Sequence, residues 1–351
     1  MPKKILISPL DWGLGHASRI IPIIRLLQNK ENKIIVATNK NTENYLKQYF
    51  CDLKFIDIPS YKIKYSQKHL ILDLILQIPK IIRTIKNEHK WLKKIIETEK
   101  IDCVISDNRY GLWNKKIKTV FITHQINIKL PKKLKIFEKL LYKQNKKLIE
   151  KFDYCLIPDE PDSKFTGELT NKYALPDNAI FIGLLSRFSG VEYHESNIKT
   201  KFDVFVILSG AEPQKTEFLE LIINKFKDSK YKILIASGNI NSYNKKIKNI
   251  KILPHLTDND FFFVTQNTPN IISRAGYSTI MDLVSLGKTA ILIPTPGQTE
   301  QEYLSKINNN KFEFISQNKF KSKFLLKTNN LKINKYTNNM LEKIIFDVLN
   351  C

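Results

Sequence analysis

Three short segments place glycines and polar side chains where they could do chemistry. The first is Asp11-Trp12-Gly13-Leu14-Gly15-His16-Ala17-Ser18-Arg19, between an apolar run and a helical pattern. Gly13 and Gly15 let the backbone come close to a ligand, and a helix start offers unpaired N–H groups to an anion or an alkoxide. A histidine there suits a general base, because imidazole titrates near neutrality. The bland alternative is a tight turn that His16 merely caps. The segment has the outline of GxGxxG, but Ser18 stands at the third glycine. The next strand ends in Ala37-Thr38-Asn39, without the acidic residue that would hold a ribose hydroxyl. A nicotinamide cofactor is therefore not expected.

The second segment is Ser273-Arg274-Ala275-Gly276-Tyr277-Ser278-Thr279-Ile280-Met281-Asp282. Gly276 opens a turn, and Ser278 and Thr279 suit a helix N-terminus, where a diphosphate would sit. Asp282, about one and a half turns along, is placed to hydrogen-bond ribose hydroxyls. Arg274 precedes the turn and either joins the ligand or fixes the turn's shape. The third segment, Pro294-Thr295-Pro296-Gly297-Gln298-Thr299-Glu300-Gln301-Glu302, gathers amides and carboxylates suited to sugar hydroxyls. A further segment, Asp107-Asn108-Arg109-Tyr110-Gly111, ends a strand and reads equally as an acceptor contact or as a turn with a structural Arg–Asp pair. Asp258-Asn259-Asp260 matches D-x-D, and helix capping accounts for it. The six histidines lack ligand spacing, so no metal site is expected. His124 and His255 end strands, where they either line the cleft or are structural, the second being the commoner role of a lone histidine.

Strand and helix patterns alternate so as to position these segments. Strands are expected at 4–10, 33–39, 53–58, 102–106, 119–123 and 154–158. Helices are expected at 16–28, from 41, over 70–99 with a break at Pro79, and over 132–151. After a polar stretch the pattern restarts, with strands at 203–208, 232–236, 250–253, 270–272 and 289–293 and a closing helix at 334–349. Such alternation implies parallel, doubly wound α/β sheets. The organisation expected is a domain at 1–185, a linker at 186–201, a second domain at 202–333 and a C-terminal helix at 334–351. Two Rossmann-like domains facing one cleft is the resulting fold class, with ligands beyond the carboxyl ends of the strands.

The 351 residues are 42% hydrophobic and 26% charged, an ordinary globular balance that excludes disorder and fibrous arrays. No apolar stretch approaches the roughly 20 residues of a bilayer span. The N-terminus carries no cleavable signal pattern, which points to the cytosol. Cys51, Cys103, Cys155 and Cys351 form no CxxC pair and read as reduced thiols. The formal charge is +23, yet only six of the 57 basic residues are arginine: Arg19, Arg25, Arg83, Arg109, Arg187 and Arg274. Much of the lysine reads as solvated surface, and each arginine gains interest because lysine lacks its planar fork. Leu70, Ile71, Leu74, Ile75 and Ile78 stand beside Lys64 and Lys68, with Lys80, Arg83, Lys86, Lys90, Lys93 and Lys94 following. That pattern reads either as a core-facing stripe with a solvated basic side or as a surface for an anionic membrane.

In this order, the three segments resemble those of an inverting glycosyltransferase of the GT-B fold, and most closely family 28. The resemblance implies that His16 is the base on the acceptor side, with Gly13 and Gly15 shaping its loop. It implies a donor signature in Arg274, Gly276, Thr279 and Asp282, and donor-sugar contacts from the loop carrying Gln298, Glu300 and Gln301. Ser209-Gly210-Ala211 resembles the short glycine loop that opens the family's second domain. The family's usual ribose-binding glutamate stands here as the shorter Asp282, and its first loop is richer in glycine. The expected donor is a UDP-linked sugar, UDP-GlcNAc being one candidate, and the sequence leaves the sugar itself open. The expected acceptor is a glycan or lipid-linked hydroxyl, and no cofactor or metal beyond the donor is expected. Asp107 is the carboxylate available to orient His16. A nucleotide-sugar hydrolase or epimerase would use the same residues. A basic nucleic-acid-binding protein is the alternative of another class. It would require lysines clustered with aromatic platforms, and the sequence shows none, so no nucleic-acid partner is expected.

Overall fold

A computed structural model describes residues 2–61, 76–238, 244–323 and 333–349. The chain divides into two compact units. The first runs to Arg187 and takes back the residues from Asn338 onward; the second continues from Phe188 to Thr337. Each is built on its own seven-stranded sheet.

The first unit contains β1 (Lys4–Pro9), α1 (Leu14–Gln28), β2 (Lys33–Ala37), α2 (Lys40–Leu46), β3 (Lys54–Ile56), α3 (Ile78–Glu99), β4 (Cys103–Asp107) and β5 (Lys118–Ile122). A 3-10 turn (Lys132–Phe137) leads into α4 (Glu138–Ile149), followed by β6 (Tyr154–Ile157), α5 (Glu168–Asn171) and β7 (Ala179–Phe181). The strands pair in parallel in the order β3-β2-β1-β4-β5-β6-β7. β1 and β4 are apolar and buried because helices cover both faces of such a sheet. Leu6, Val104, Phe121, Ile149 and Ile157 are among the core residues around them.

The second unit contains β8 (Val204–Ile207), α6 (Gln214–Phe226), β9 (Ile233–Ala236), β10 (Lys245–Ile247), β11 (Ile250–Leu253), α7 (Asp258–Asn267) and β12 (Asn270–Ser273). It continues with α8 (Tyr277–Ser285), β13 (Ile291–Leu292), α9 (Thr299–Ile307), β14 (Glu313–Phe314) and α10 (Gln317–Lys323). Its order is β10-β11-β9-β8-β12-β13-β14, parallel except for β10. The chain closes with α11 (Leu341–Leu349), which belongs to the first unit. Both sheets reverse direction of build at one place, between β1 and β4 and between β8 and β12. Ligands of doubly wound sheets bind at such switch points. The first and second chemical segments of the sequence lie there.

Several boundaries differ from the sequence reading for local reasons. The helix expected over 132–151 begins instead as a 3-10 turn after Pro131, and Glu138, buried, accepts the N–H of Leu130. The closing helix starts at Leu341, not at 334. Asn338 sets that start: its side-chain oxygen takes the N–H groups of Met340 and Leu341, while its amide donates to Ile182 and Leu184 at 2.9 Å. Pro79 sits in the first turn of α3, where its missing N–H is harmless. The helix expected before it falls outside the described residues. β7, β10 and β14 have two or three residues each, too few for alternation to show.

Candidate active site

Four side chains converge at the first switch point. His16 lies in the first turn of α1, Arg19 one turn later, Asp107 at the end of β4 and His124 just past β5. The turn into α1 needs its glycine: Gly13 has φ 144°, outside the range of ordinary side chains, although a Cβ there would meet nothing within 4 Å. His16 Nδ1 stands 3.0 Å from Asp107 Oδ2. Arg19 donates from Nε to the same Oδ2 at 2.8 Å and from Nη2 to Oδ1, a two-pronged grip. Its Nη2 also lies 2.9 Å from His16 Nδ1, and its Nη1 lies 2.8 Å from His124 Nδ1.

Asp107 and Arg19 are fully buried, while the His16 side chain remains 18% exposed. Burial pushes the Asp107 carboxyl up, but the charges and hydrogen bonds of Arg19 and His16 outweigh it and hold the pKa at about 2. The carboxylate is thus ionised at any working pH. No described group hydrogen-bonds His16 Nε2. An imidazole tied through Nδ1 to a carboxylate, with Nε2 left over, is an arrangement for taking a proton.

A second buried network holds the Asp11–Gly13 loop from behind. Arg109 donates to the carbonyls of Pro9 (2.8 Å) and Pro59 (3.1 Å) and to Glu88 Oε1 (2.8 Å), and its Nη2 lies 3.5 Å from Asp11 Oδ1. Tyr61 donates to Glu88 Oε2 at 2.8 Å, and Ser60 donates to Asp11. Burial pushes the Glu88 carboxyl up and Arg109 pulls it down. Arg109 is wholly buried, so of its two sequence readings the structural one describes its bonds, with Glu88 as the closest acid. Gly111 is where the following loop crosses α3, and its N–H donates to Glu88 at 3.2 Å. A Cβ at Gly111 would collide with Glu88 Cβ and the carbonyl of Ile85. Gly111→Ala should therefore lower stability by about 1–3 kcal/mol, the range for overpacking. Urea unfolding would read this as an earlier midpoint at unchanged slope; an unchanged midpoint would show that α3 gives way freely.

At the second switch point, the loops after β8 and β12 come together. A Cβ on Gly276 would lie 3.9 Å from Thr279 Oγ1 and 4.0 Å from Ser209 Oγ, so these three residues border one small space. Gly210 beside them has φ 105°, which requires glycine. Gly276 caps α8 without any side-chain hydrogen bond, Ser278 and Thr279 are half-buried, and Asp282 is nearly buried in the helix. Arg274 turns inward. Its guanidinium lies 3.9 Å from the centroid of the Phe218 ring and donates to the carbonyls of Ile293 (3.1 Å) and Pro294 (3.2 Å). Burial draws its pKa down to about 10, with Glu217 pulling the other way. It ties the end of β12 to the loop after β13. Gln301 is buried too, its side-chain oxygen taking the N–H of Thr295 at 2.9 Å, and Glu302 takes that of Gly297 at 3.2 Å. Gln298 and Glu300 stay half-buried at the start of α9.

Comparisons with known proteins bear on both units. Residues 208–319 match the glycosyltransferase family 28 C-terminal domain. The UDP-N-acetylglucosamine--N-acetylmuramyl-(pentapeptide) pyrophosphoryl-undecaprenol N-acetylglucosamine transferase of Caldicellulosiruptor saccharolyticus is 26% identical over 334 residues, covering 86% of this chain and 81% of the relative. The chain is a glycosyltransferase, and its second unit is similar to the C-terminal domain of family 28. An uncharacterized glycosyltransferase of Methanosarcina acetivorans is also 26% identical to this transferase, covering 85% of the chain and 81% of the relative. Among solved structures, the kitacinnamycin glycosyltransferase superposes with a TM-score of 0.61 at 12% identity, covering 99% of this chain and 93% of the other. MurG of Acinetobacter baumannii superposes at 0.54 and 11% identity, with complete coverage of both. The fold of the transferase is GT-B, α/β, as the sequence implied.

The structure thus brings together His16 with Asp107, and Ser209 and Gly210 with Gly276 and Thr279. It gives Arg274 and Gln301 bonds that shape the loops after β12 and β13 from within. Asp260 of the D-x-D segment accepts from Ser196 (2.7 Å) and from the N–H of Asn197 (2.8 Å), and Thr257 caps the same helix at 3.1 Å. Sequence reasoning gave no role to Arg19 and none to Lys215. Lys215, in the first turn of α6, lies with Nζ 3.8 Å from the Cβ position of Gly238. Burial pushes its pKa down, with Glu212 opposing. For Arg19 the available signal was its place one turn after His16 in a chain poor in arginine.

Proposed function

We propose that the transferase moves a sugar from a UDP-linked donor to a hydroxyl acceptor with inversion, His16 acting as the general base. The observation that supports it most is the His16–Asp107 pair at a switch point. In this reading the acceptor hydroxyl gives its proton to His16 Nε2 as its oxygen attacks the anomeric carbon, and the UDP leaves from the opposite face. The second unit grips the donor. The diphosphate lies over the N–H groups at the start of α8, in the space bordered by Ser209, Gly276 and Thr279, and the ribose reaches Asp282. Ser278, Gln298 and Glu300 are the remaining polar contacts, and no metal takes part. The name of the Caldicellulosiruptor relative makes UDP-N-acetylglucosamine the donor to test first.

The test is incubation with UDP-N-acetylglucosamine and hydroxyl acceptors, the product's anomeric configuration being read by NMR. A β-linked product from the α-linked donor is expected. Retention would overturn inversion, and free sugar formed at the same rate without acceptor would make the protein a hydrolase. Asp282→Ala should weaken UDP binding by about 1–3 kcal/mol, the range for a hydrogen bond to a charged group. Unchanged calorimetric affinity in the folded variant would remove Asp282 from the site.

The acceptor is proposed to be lipid-linked and reached at an anionic membrane surface. Among the described residues, no helix is long and apolar enough to cross a membrane. The first unit instead exposes large apolar side chains on basic helices. Ile78 and Ile82 are exposed on α3 among Lys80, Arg83 and Lys86. Ile136 (81% exposed), Phe137 and Leu140 stand among Lys132, Lys133, Lys135, Lys139 and Lys143. Leu70, Ile71, Leu74 and Ile75 fall outside the described residues, so the second patch, which sequence reasoning missed, now supports the proposal more than the first. Sedimentation with anionic vesicles at low salt should carry the protein down, and Ile136→Glu with Phe137→Glu should release it. A protein that stays in the supernatant would sink the membrane reading.

A further inference from the structure

We propose that Arg19 is the positioning residue that selects the tautomer of His16 and so leaves Nε2 able to take a proton. This rests on the reading of His16 as the base. Arginine has only donors, so His124 Nδ1, at 2.8 Å from Arg19 Nη1, must accept, and neutral His124 carries its hydrogen on Nε2. At His16 two arrangements compete for Nδ1. If Nδ1–H donates to Asp107 at 3.0 Å, Nε2 keeps a lone pair and can take a proton. If Nδ1 accepts from Arg19 Nη2 at 2.9 Å, the hydrogen moves to Nε2 and the base is gone.

The two-pronged grip on Asp107 decides between them. Arg19 commits Nε and Nη2 to the carboxylate, which stays ionised and turned toward His16. An ionised acceptor next to Nδ1 draws the hydrogen onto Nδ1. Arg19 on α1, Asp107 on β4 and His124 after β5 are ionisable side chains bonded into this cluster. Asp11 is turned toward Ser60 and Arg109. A lysine at position 19 could supply the charge but not the fork.

The first measurement needs no variant at position 19. Long-range 1H–15N correlation on the labelled full chain near pH 7, with ring signals assigned by His16→Ala and His124→Asn, should show His124 as the Nε2–H tautomer and His16 as the Nδ1–H tautomer. His124 carrying its hydrogen on Nδ1, or His16 carrying it on Nε2, would overturn the proposal. The second measurement is the acid limb of kcat/KM against pH. Arg19→Gln should move that limb up by about one pH unit or more, as loss of a neighbouring charge does. Arg19→Lys should keep the limb near its wild-type position while kcat falls. A purely structural role would lower kcat at every pH and leave the limb in place in Arg19→Gln, which would refute the assignment. Should Arg19→Gln fail to fold, the spectra and the Arg19→Lys profile still decide, since a limb displaced in Arg19→Lys also refutes it. An acid limb that persists in His16→Ala would show instead that the base itself was misassigned.

Discussion

His16→Ala should lose about 10²–10⁴-fold in turnover, the usual contribution of a general base, while UDP binding stays near wild type. The two effects separate because the imidazole belongs to the first unit and the proposed donor grip to the second. An acceptor hydroxyl is a poor nucleophile, and its proton must leave as the new bond forms. Without the imidazole, only water or a more distant carboxylate remains. Asp11 is a weak substitute, since its side chain is buried against Ser60 and Arg109. Stability should change little, because His16 is partly exposed and its one tied nitrogen faces a carboxylate that Arg19 continues to hold. The same assay in excess EDTA should leave the wild-type rate unchanged, as expected if the start of α8 neutralises the departing diphosphate. Turnover by folded His16→Ala equal to wild type would reduce the histidine to a cap. Loss of rate in EDTA, restored by a divalent cation, would overturn the metal-free reading alone.

How much of this was legible in the sequence depended on the distance over which each residue acts. β1, β4, β8 and β12 are short apolar runs ending in glycine or polar turns, so period and punctuation marked the turns, while the strand order that makes them switch points came only with the fold. Gly13 and Gly210 could be singled out because a positive φ leaves glycine in the sequence. Arg19 could not be given a role: its partner Asp107 lies 88 residues away, brought beside it only when β4 pairs with β1. Gln301 carries a bond that its local sequence does not announce. An amide in a proline-glycine loop looks ready for a sugar, yet a buried turn leaves the N–H of Thr295 needing an acceptor, and the nearest amide supplies it. Arg109 read equally as an acceptor contact or a structural pair with an Asp, and it pairs with Glu88 from α3. The exposed Ile136, Phe137 and Leu140 escaped notice because an even helix over 132–151 would have shared its apolar residues with the core. The 3-10 turn holds Ile136 and Phe137 outward, and Leu140 is exposed on the first turn of α4 beside them.

Asp107→Asn should be the second most damaging change, and in two measurable ways. It keeps the shape of the side chain but removes the charge that Arg19 and His16 share. A guanidinium left buried without its counter-ion costs about 3–5 kcal/mol, offset in part by the amide oxygen and His124. The neutral amide also no longer draws the hydrogen to His16 Nδ1, so turnover should fall about 10²–10⁴-fold even in the folded fraction. Acid separates the stability effect from other carboxylates. The Asp107 pKa is depressed, from 3.8 to about 2, so the unfolded chain binds its proton first as pH falls. Its contribution is therefore complete above about pH 5 and is lost as the pH drops through 2, a change of about 2 kcal/mol. The amide of the Asp107→Asn protein does not titrate, so the stability gap between variant and wild type should narrow by about 1–2 kcal/mol as the pH falls from 5 toward 2. Paired urea titrations at each pH would measure it, and taking the difference cancels every other titrating group. A gap constant across that range would mean that Asp107 titrates as in the unfolded chain, and the ion pair with Arg19 would then contribute nothing to folding.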